Sequence, residues 1–163
     1  MNIQNIAKEI KLVIFDVDGV FTDGKIYFTH RGEQAVAFHV HDGQGIKLLQ
    51  NSGIEVAIIS GRNTKAVQHR LDELGIQHVF LGQEDKTIAF DLLLAELDIM
   101  PKHIAYVGDD LPDKPLMEKV GLPIAVANAV ESIKCIAKYC TQKKGGYGAV
   151  REVCDLICSA KQA

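Results

Sequence analysis

The feature that most constrains the fold is a repeated alternation of short apolar runs with longer helical patterns. The apolar runs are nearly continuous, which is typical of strands buried on both faces of a sheet. They cover residues 11–17, 55–60, 78–81, 103–107 and 123–126. Helical patterns lie between and after them, at residues 43–51, 64–74, 86–97, 112–119, 129–137 and about 149–159.

Repeated strand–helix units predict a three-layer α/β fold, in which a parallel sheet carries helices on both faces in a Rossmann-like arrangement. A chain of 163 residues is expected to form one domain, here residues 1–163. Residues 24–40 interrupt the rhythm, because two β-type runs flank a turn containing Gly32, and they predict a projecting β-hairpin. Residues 143–148 are glycine-rich and predict a flexible tail segment before the last helix.

Charge and composition exclude several classes of protein. The chain has 18 Lys and Arg against 21 Asp and Glu, a net charge of −3, whereas nucleic-acid binders usually carry a basic excess. No apolar run is long enough to span a bilayer, and the polar start lacks a signal-peptide pattern, so we expect a cytoplasmic protein without membrane partners. The cysteines lack CxxC pairing, which favours buried or half-buried thiols over a zinc site. They are Cys135, Cys140, Cys154 and Cys158.

Two carboxylates end the first predicted strand. Asp16 and Asp18 are two residues apart, and because a strand has a side-chain period of two, they can point the same way. Such a pair repels strongly unless a cation lies between the carboxylates or one of them keeps its proton. The alternative is a solvated acidic turn without a ligand.

A second acidic cluster follows the predicted strand at residues 103–107. It contains Asp109, Asp110 and Asp113 after Gly108, a residue that allows a tight turn. Acidic groups at the tips of two buried strands predict a magnesium site, since Mg²⁺ prefers oxygen ligands. Asp113 has an alternative role as the cap of the helix that follows.

Two further polar residues lie at strand ends or helix starts. Ser60 ends the second predicted sheet strand, where a hydroxyl and free backbone N–H groups can hold phosphate oxygens; the alternative is a helix cap. Lys86 begins a helix, where the helix dipole disfavours positive charge, so a functional partner would explain it. A solvated lysine is the alternative.

Along the chain, these residues form the motifs Asp-x-Asp, Ser, Lys and Gly-Asp-Asp in that order. With these motifs, the chain resembles the haloacid dehalogenase (HAD) superfamily of phosphohydrolases over almost its whole length. The resemblance implies that Asp16 is the nucleophile and that Asp18 is the general acid and then the base. It implies that Asp16, Asp109 and the backbone carbonyl of Asp18 bind Mg²⁺. Ser60 and Lys86 would bind the transferring phosphoryl group.

The same resemblance implies that Asp110 and Asp113 orient the metal site from behind its ligands. Many HAD enzymes carry a cap domain, but the spacing between Asp18 and Ser60, and between Ser60 and Lys86, leaves no room for one. We therefore expect a form without a cap domain.

Within the superfamily, the chain most resembles the 3-deoxy-D-manno-octulosonate 8-phosphate (KDO 8-phosphate) phosphatase family. The segments that carry this likeness are residues 16–23, 32–33, 42–43, 45–46, 60–62, 108–113 and 145–152. The resemblance implies hydrolysis of a sugar-acid phosphate for lipopolysaccharide precursor synthesis, by a homotetramer with packed hairpins and a glycine-rich tail that closes over the substrate. It implies substrate contacts from Ser60, Gly61, Arg62, Lys86, His41, Asp42, Gly43 and Tyr147.

The chain departs from the family's pattern at four positions. His41 and Tyr147 stand where arginine is common, Gln44 where an aromatic residue is common, and Lys114 where tryptophan is common. The two arginine replacements remove fixed charges that could meet a sugar carboxylate or phosphate. They concern the identity of the substrate rather than the type of reaction.

Three alternatives remain at this point. The substrate is a different sugar-acid phosphate, such as a nonulosonate 9-phosphate, or the chain is a non-catalytic HAD-like assembly module. A phospho-accepting receiver domain also uses Asp, Ser or Thr, and Lys on a parallel sheet. Its acidic pair and its acceptor lie on different strands, however, whereas Asp16 and Asp18 share one.

Overall fold

The computed structural model describes residues 2–163 and contains a parallel sheet beside a small hairpin. The strands are β1 (Leu12–Phe15), β2 (Tyr27–Phe28), β3 (Gln34–Ala35), β4 (Glu55–Ile59), β5 (His78–Phe80), β6 (Ile104–Gly108), β7 (Leu122–Ala125) and β8 (Tyr139–Cys140). Six of them form one sheet in the order β5-β4-β1-β6-β7-β8, and all neighbours are parallel. Strands β2 and β3 pair only with each other.

Seven α-helices connect or follow the strands. They are α1 (Ile3–Lys8), α2 (Val40–Asn51), α3 (Lys65–Glu73), α4 (Lys86–Leu97), α5 (Lys114–Met117), α6 (Glu131–Lys134) and α7 (Ala149–Gln162). Two short 3-10 helices precede β6 and α5, at Pro101–His103 and Leu111–Asp113. Helix α7 packs against α1 and α2, whereas α4 packs against α5, and these two groups flank the sheet.

The central strand β1 determines where a ligand can bind. All four of its residues are fully buried, and it pairs with β4 on one side and with β6 on the other. The chain passes from β1 to β4 on one side and later returns to β6 on the opposite side. In open α/β sheets, the crevice at this change of direction, beyond the carboxyl ends of the strands, is where ligands bind.

The predicted three-layer parallel fold is confirmed, and no cap domain interrupts residues 2–163. The prediction missed β8 and α1. Strand β8 is only two residues long, and it exists because it pairs with β7. Helix α1 has Asn2 as its cap and buries its only fully enclosed residue, Ala7, in the packing with α7.

Three predicted elements are shorter in the structure. The hairpin strands contain two residues each, and the hairpin predicted for residues 24–40 ends early because α2 already begins at Val40. The Nδ1 atom of His39 accepts the N–H of His41 and so caps this helix. The patterns at residues 112–119 and 129–137 each shorten to one turn of α-helix.

The cysteine expectation is half correct. All four thiols are free, and Cys154 is buried and Cys158 half-buried, but Cys135 and Cys140 are exposed. No helix within residues 2–163 has both the length and the apolar character required to cross a membrane.

Candidate active site

A cavity of about 740 Å³ opens at the carboxyl edge of the sheet. This volume lies in the range that small-molecule sites occupy. The residues that line it are Asp16, Asp18, Gly24, Ser60, Gly61, Arg62, Gln83, Glu84, Lys86, Asp109, Asp110 and Pro112. Eight of the twelve were predicted from the sequence as site residues or as groups that orient the site, and they come from the ends of β1, β4 and β6 and the start of α4.

Asp16 lies at the tip of the central strand. Its N–H donates to the carbonyl of Val107 at 3.0 Å, which continues the pairing of β1 with β6 by one residue. The residue is 8% exposed, and its Oδ1 accepts the N–H of Val17 at 2.7 Å and lies 3.0 Å from Nζ of Lys86. The sheet therefore fixes this carboxylate at the floor of the cavity.

Asp18 lies on the tight turn that follows. The carbonyl of Val17 accepts the N–H groups of Val20, Phe21 and Thr22, and the buried ring of Phe21 packs edge-on against Phe15. This turn is therefore anchored in the core while Asp18 itself stays half-exposed.

The side chain of Asp18 pairs with an arginine from the next strand end. Nε of Arg62 lies 2.5 Å from Oδ2 of Asp18, and Nη1 of Arg62 donates to Oε1 of Gln34 on the hairpin at 3.3 Å. Arg62 thus links the candidate acid to β3.

Close backbone approach brings the second acidic cluster against the first. A Cβ atom on Gly19 would overlap the carboxylate of Asp109, and one on Gly108 would lie 2.6 Å from Cβ of Asp113. Real Cβ atoms do not come this close to their neighbours, so only glycine allows both approaches. These two glycines let the carboxylates of Asp16, Asp109 and Asp113 offer oxygens within 4.8 Å of one another.

Asp113 holds the site together from beneath. It is fully buried, and its Oδ1 accepts from Nζ of Lys86 and from the hydroxyl of Tyr106, both at 2.7 Å. Its Oδ2 accepts the backbone N–H groups of Asp109 at 2.9 Å and Asp110 at 3.3 Å. Four donors occupy its oxygens, so its position fits orientation of the site better than direct metal binding. The alternative of a cap for α5 is wrong, since its side chain makes no such bond there.

The pKa values of the two forward carboxylates are raised. Burial, and then the charge of Asp113, raise the pKa of Asp16 to about 7, against the lowering effect of Lys86. Burial, and then the charges of Asp16 and Asp113, raise the pKa of Asp109 to about 8. Burial acts to lower the pKa of Lys86, but its two carboxylate partners outweigh that effect and raise it. Lys86 is therefore a permanent cation and not a solvated lysine.

These residues fit a magnesium ion. Oxygen atoms are the ligands that Mg²⁺ prefers, and buried carboxylates whose oxygens lie within 4.8 Å of one another concentrate negative charge that a cation would relieve. Five carboxylates and two cationic side chains line the cavity, a formal charge of −3. Among the described residues, Asp16, Asp109 and Asp113 are the only group of this kind with ligand spacing. Asp16 and Asp109 would hold the ion.

Ser60 is buried beyond the end of β4. Its backbone N–H donates to Phe80 at 2.9 Å, and its Oγ accepts the N–H of Arg62 at 3.3 Å. The alternative of a helix cap is wrong, because Thr64 caps α3 through Oγ1. Gly61 is exposed on the cavity wall beside it.

The other predicted substrate contacts lie outside the cavity of this chain. Asp42 is 1% exposed, and its Oδ1 accepts the N–H of Arg151 in the first turn of α7. Gly43 packs against the guanidinium of Arg70. Both residues serve the packing of α2 within this chain, and their contact with the substrate stays a prediction. His41 and Tyr147 are exposed and do not line the cavity.

Sequence reasoning missed several members of the site. Gly24, Gln83, Glu84 and Pro112 line the cavity, but their residue types are common in ordinary loops and carried no signal. Tyr106 is fully buried in β6, and burial together with the charge of Asp113 raises its pKa well above the usual value, so it stays a hydrogen-bond donor. A hydroxyl inside an otherwise apolar strand was the available signal.

The fold and the site together define a phosphohydrolase of the haloacid dehalogenase class: an aspartate pair after the first strand, a hydroxyl after the second, and a lysine and an acidic cluster that converge on them. A family model for haloacid dehalogenase-like hydrolases matches residues 79–153. This match covers the lysine and the second acidic cluster.

Proteins that are similar to this chain over nearly its whole length point to one family within this class. The chain is 54% identical over 155 residues to the 3-deoxy-D-manno-octulosonate 8-phosphate phosphatase of Escherichia coli K12, covering 95% of this chain and 82% of that protein. The Yersinia pestis enzyme of the same name superposes with a TM-score of 0.96 at 50% identity, over 98% of this chain and 86% of that one.

A third relative was solved with ligands. The 3-deoxy-D-manno-octulosonate 8-phosphate phosphatase of Moraxella catarrhalis, in complex with magnesium, phosphate and KDO, superposes with a TM-score of 0.95 at 46% identity, over 98% of this chain and 92% of that one. The chain belongs to the 3-deoxy-D-manno-octulosonate 8-phosphate phosphatase family.

Proposed function

We propose that this chain hydrolyses KDO 8-phosphate to KDO and inorganic phosphate, a step in lipopolysaccharide precursor synthesis. The observation that carries the proposal is Asp16, a buried carboxylate at the cavity floor, 3.0 Å from Lys86 and beside Asp109. Relatives with this activity in their names, and one solved with magnesium, phosphate and KDO, support the choice of substrate.

In the first step, a carboxylate oxygen of Asp16 attacks phosphorus in line with the bond to the sugar oxygen. The P–O bond to the sugar breaks as the new P–O bond to Asp16 forms, and Asp18 gives its proton to the departing sugar oxygen. The products are an aspartyl-phosphate and the free sugar acid. Asp18 reaches this position from its turn because its side chain lines the same cavity.

In the second step, Asp18 removes a proton from water, and the water oxygen attacks the phosphorus of the aspartyl-phosphate. Asp16 leaves as a free carboxylate and inorganic phosphate is released, so both residues return to their starting states. Dividing the hydrolysis in this way replaces one slow displacement by two in-line displacements within a fixed site.

Positive charge must balance the phosphoryl oxygens in both steps. Lys86 supplies one fixed charge, held between Asp16 and Asp113, and Ser60 offers a hydroxyl and nearby backbone N–H groups. A bound Mg²⁺, held by Asp16, Asp109 and the backbone carbonyl of Asp18, would supply the largest charge.

The remaining roles follow from position. Asp113 fixes Lys86 and the backbone of Asp109, and Asp110 accepts the N–H of Leu111 and stabilises the turn. Gly61 and Arg62 would contact the sugar-acid part of the substrate on the cavity wall. Gly61 is exposed and Arg62 half-buried on that wall, and the guanidinium of Arg62 is a charge that an anionic ligand can meet.

His41 and Tyr147 would contact substrate only where chains assemble, because both lie outside the cavity of their own chain. We therefore propose a homotetramer in which hairpins pack together and the 143–148 segment helps to close a site. Tyr27 and Phe28 on the hairpin are 54% and 64% exposed, which favours burial in such an assembly.

We treat residues 1–163 as one phosphatase domain, and we place it in the cytoplasm because its four thiols are free.

A panel of phosphate esters tests the proposal. Phosphate release should be fastest with KDO 8-phosphate and should depend on Mg²⁺, with a nonulosonate 9-phosphate and simple hexose phosphates as comparisons. Preference for the nonulosonate would favour the alternative substrate, since the replacements at His41 and Tyr147 affect recognition and not chemistry. No release from any ester would favour a non-catalytic assembly module.

A further inference from the structure

The amide of Asn128 connects two distant segments beside the active site. Asn128 is an exposed residue on the loop after β7. Its Nδ2 donates to the carbonyl of Gly19 at 3.0 Å, and its Oδ1 accepts the N–H of Gly145 at 2.6 Å. One side chain therefore joins the turn that carries Asp18 to the glycine-rich segment 143–148.

These two segments touch without intervening side chains. A Cβ atom on Gly145 would overlap the carbonyl of Gly19 and would lie 2.9 Å from the carbonyl oxygen of Thr22. On its other side, Gly19 packs against the carboxylate of Asp109. The order from outside to inside is thus Gly145, Gly19 and Asp109, so a shift of the outer segment is passed directly to a candidate metal-binding carboxylate.

Neighbouring hydrogen bonds support the same arrangement. The N–H of Gly146 donates to the carbonyl of Val20 at 3.2 Å, and the N–H of Val130 donates to the carbonyl of Asp109 at 2.9 Å. The loop that carries Asn128 therefore holds the backbone of Asp109 directly, while its amide holds Gly19.

We propose that Asn128 is a positioning residue for phosphoryl transfer. Its amide clasps segment 143–148 onto the turn of residues 17–22, and this contact keeps Asp18 and Asp109 in register with Asp16. The inference rests on the proposed phosphatase activity. Ser60 and Lys86 make no hydrogen bond to the clasp, so losing it should lower kcat while leaving KM nearly unchanged.

Two variants test the clasp. Asn128→Leu keeps the size of the side chain and removes both hydrogen bonds, whereas Asn128→Asp keeps the acceptor for the Gly145 N–H. We expect Asn128→Leu to lower kcat roughly 10- to 100-fold, the cost of small misplacements near reacting groups. Asn128→Asp should lose clearly less kcat than Asn128→Leu, because the shorter of the two bonds survives although the second carboxylate oxygen then faces the Gly19 carbonyl.

A matched control and a second measurement separate positioning from loss of structure. Gln50 donates its amide N–H groups to the carbonyls of Leu74 and Gly75 near the opposite end of the sheet, so Gln50→Met removes a similar clasp far from the site. The kcat of Gln50→Met should equal that of the unsubstituted protein. Hydrogen exchange of the peptide containing Gly145 should accelerate in Asn128→Leu, but not in Asn128→Asp or Gln50→Met.

The outcomes are distinct. Three results would overturn the proposed role of Asn128. They are full kcat in a folded Asn128→Leu protein, an equal change in KM and kcat in that variant, and equal losses of kcat in both Asn128 variants. If the unsubstituted protein releases no phosphate, the proposed function fails instead, and the exchange of the Gly145 peptide still decides whether the clasp exists.

Discussion

Replacing Asp113 by asparagine tests the idea that one buried carboxylate organises the active site. Asparagine has nearly the same shape, but it is neutral and presents an NH₂ group where Asp113 accepts only. The four donors now held are Nζ of Lys86, the hydroxyl of Tyr106 and the N–H groups of Asp109 and Asp110. In the variant, at least one of these four donors must face the NH₂ group of the asparagine, which is itself a donor.

Removing one partner of a buried ion pair usually costs about 3–5 kcal/mol, because the other charge is left without compensation. Part of that cost is offset, since the charge of Asp113 also raises the pKa of Asp16 and Asp109 by repulsion. We therefore take the lower limit, about 3 kcal/mol. For a chain of this size each kcal/mol shifts Tm by about 2–4 °C, so Tm should fall by about 6–12 °C.

The assay is thermal unfolding followed by circular dichroism at neutral pH with chelator present, so that metal binding does not contribute. Phosphate release with Mg²⁺ is measured in parallel, and kcat should fall at least about 100-fold because Lys86 and Asp109 lose their common anchor. Asp110→Asn is the matched control, since asparagine caps a turn as well as aspartate does. Equal Tm values for the two variants, with kcat preserved in Asp113→Asn, would refute the organising role.

Three further predictions concern the nucleophile, the metal and the acid. Asp16→Asn should abolish phosphate release while circular dichroism shows an unchanged fold; turnover in the purified variant would rule out Asp16 as nucleophile. Without metal, unfolding free energy should decrease from about pH 4 to pH 8, because folded Asp16 and Asp109, with pKa values near 7 and 8, keep protons that the unfolded chain has released. Saturating Mg²⁺ should flatten this slope and EDTA should restore it, as denaturant titrations would show; a slope unaffected by Mg²⁺ contradicts the metal site. Asp18→Asn should slow turnover at least about 100-fold by removing the proton shuttle, and normal kinetics would contradict that role.

The central sheet could be predicted because its strands are buried on both faces, and burial of that kind requires nearly continuous apolar runs. β1 and β6 show this directly, since every residue in both is buried. The turn at the end of each strand then places the polar residues that follow at one edge. The convergence of Asp16, Ser60 and Asp109 could therefore be expected from the sequence alone.

Elements that depend on distant partners could not be predicted. Strand β8 is half-exposed and is held by pairing with β7, and α1 is held by packing with α7 near the other end of the chain. The second hairpin strand was predicted too long because its β-type residues run into the cap of α2 at His39. Local sequence preference cannot show which of two adjacent elements a residue joins.

The supporting residues of the site were the least predictable. Asp113 could be expected beneath the site only by resemblance. Tyr106 acts by donating to Asp113 across the turn that follows β6, and Asn128 acts by joining Gly19 to Gly145, which are distant in the chain. Asp42 shows the converse: the family resemblance implied a substrate contact, and no sequence pattern indicated that its carboxylate accepts the N–H of Arg151 at the start of α7. Sequence order does not reveal which face of a helix meets which neighbour.

The closely packed glycines at positions 19, 108 and 145 determine how this protein tolerates amino-acid substitution. Each contributes by lacking a side chain, so every replacement adds atoms to occupied space. In a saturation mutagenesis experiment scored by growth, these positions should be as intolerant as the aspartates that do the chemistry. Depletion of variants alone would then fail to distinguish residues that react from residues that only make room.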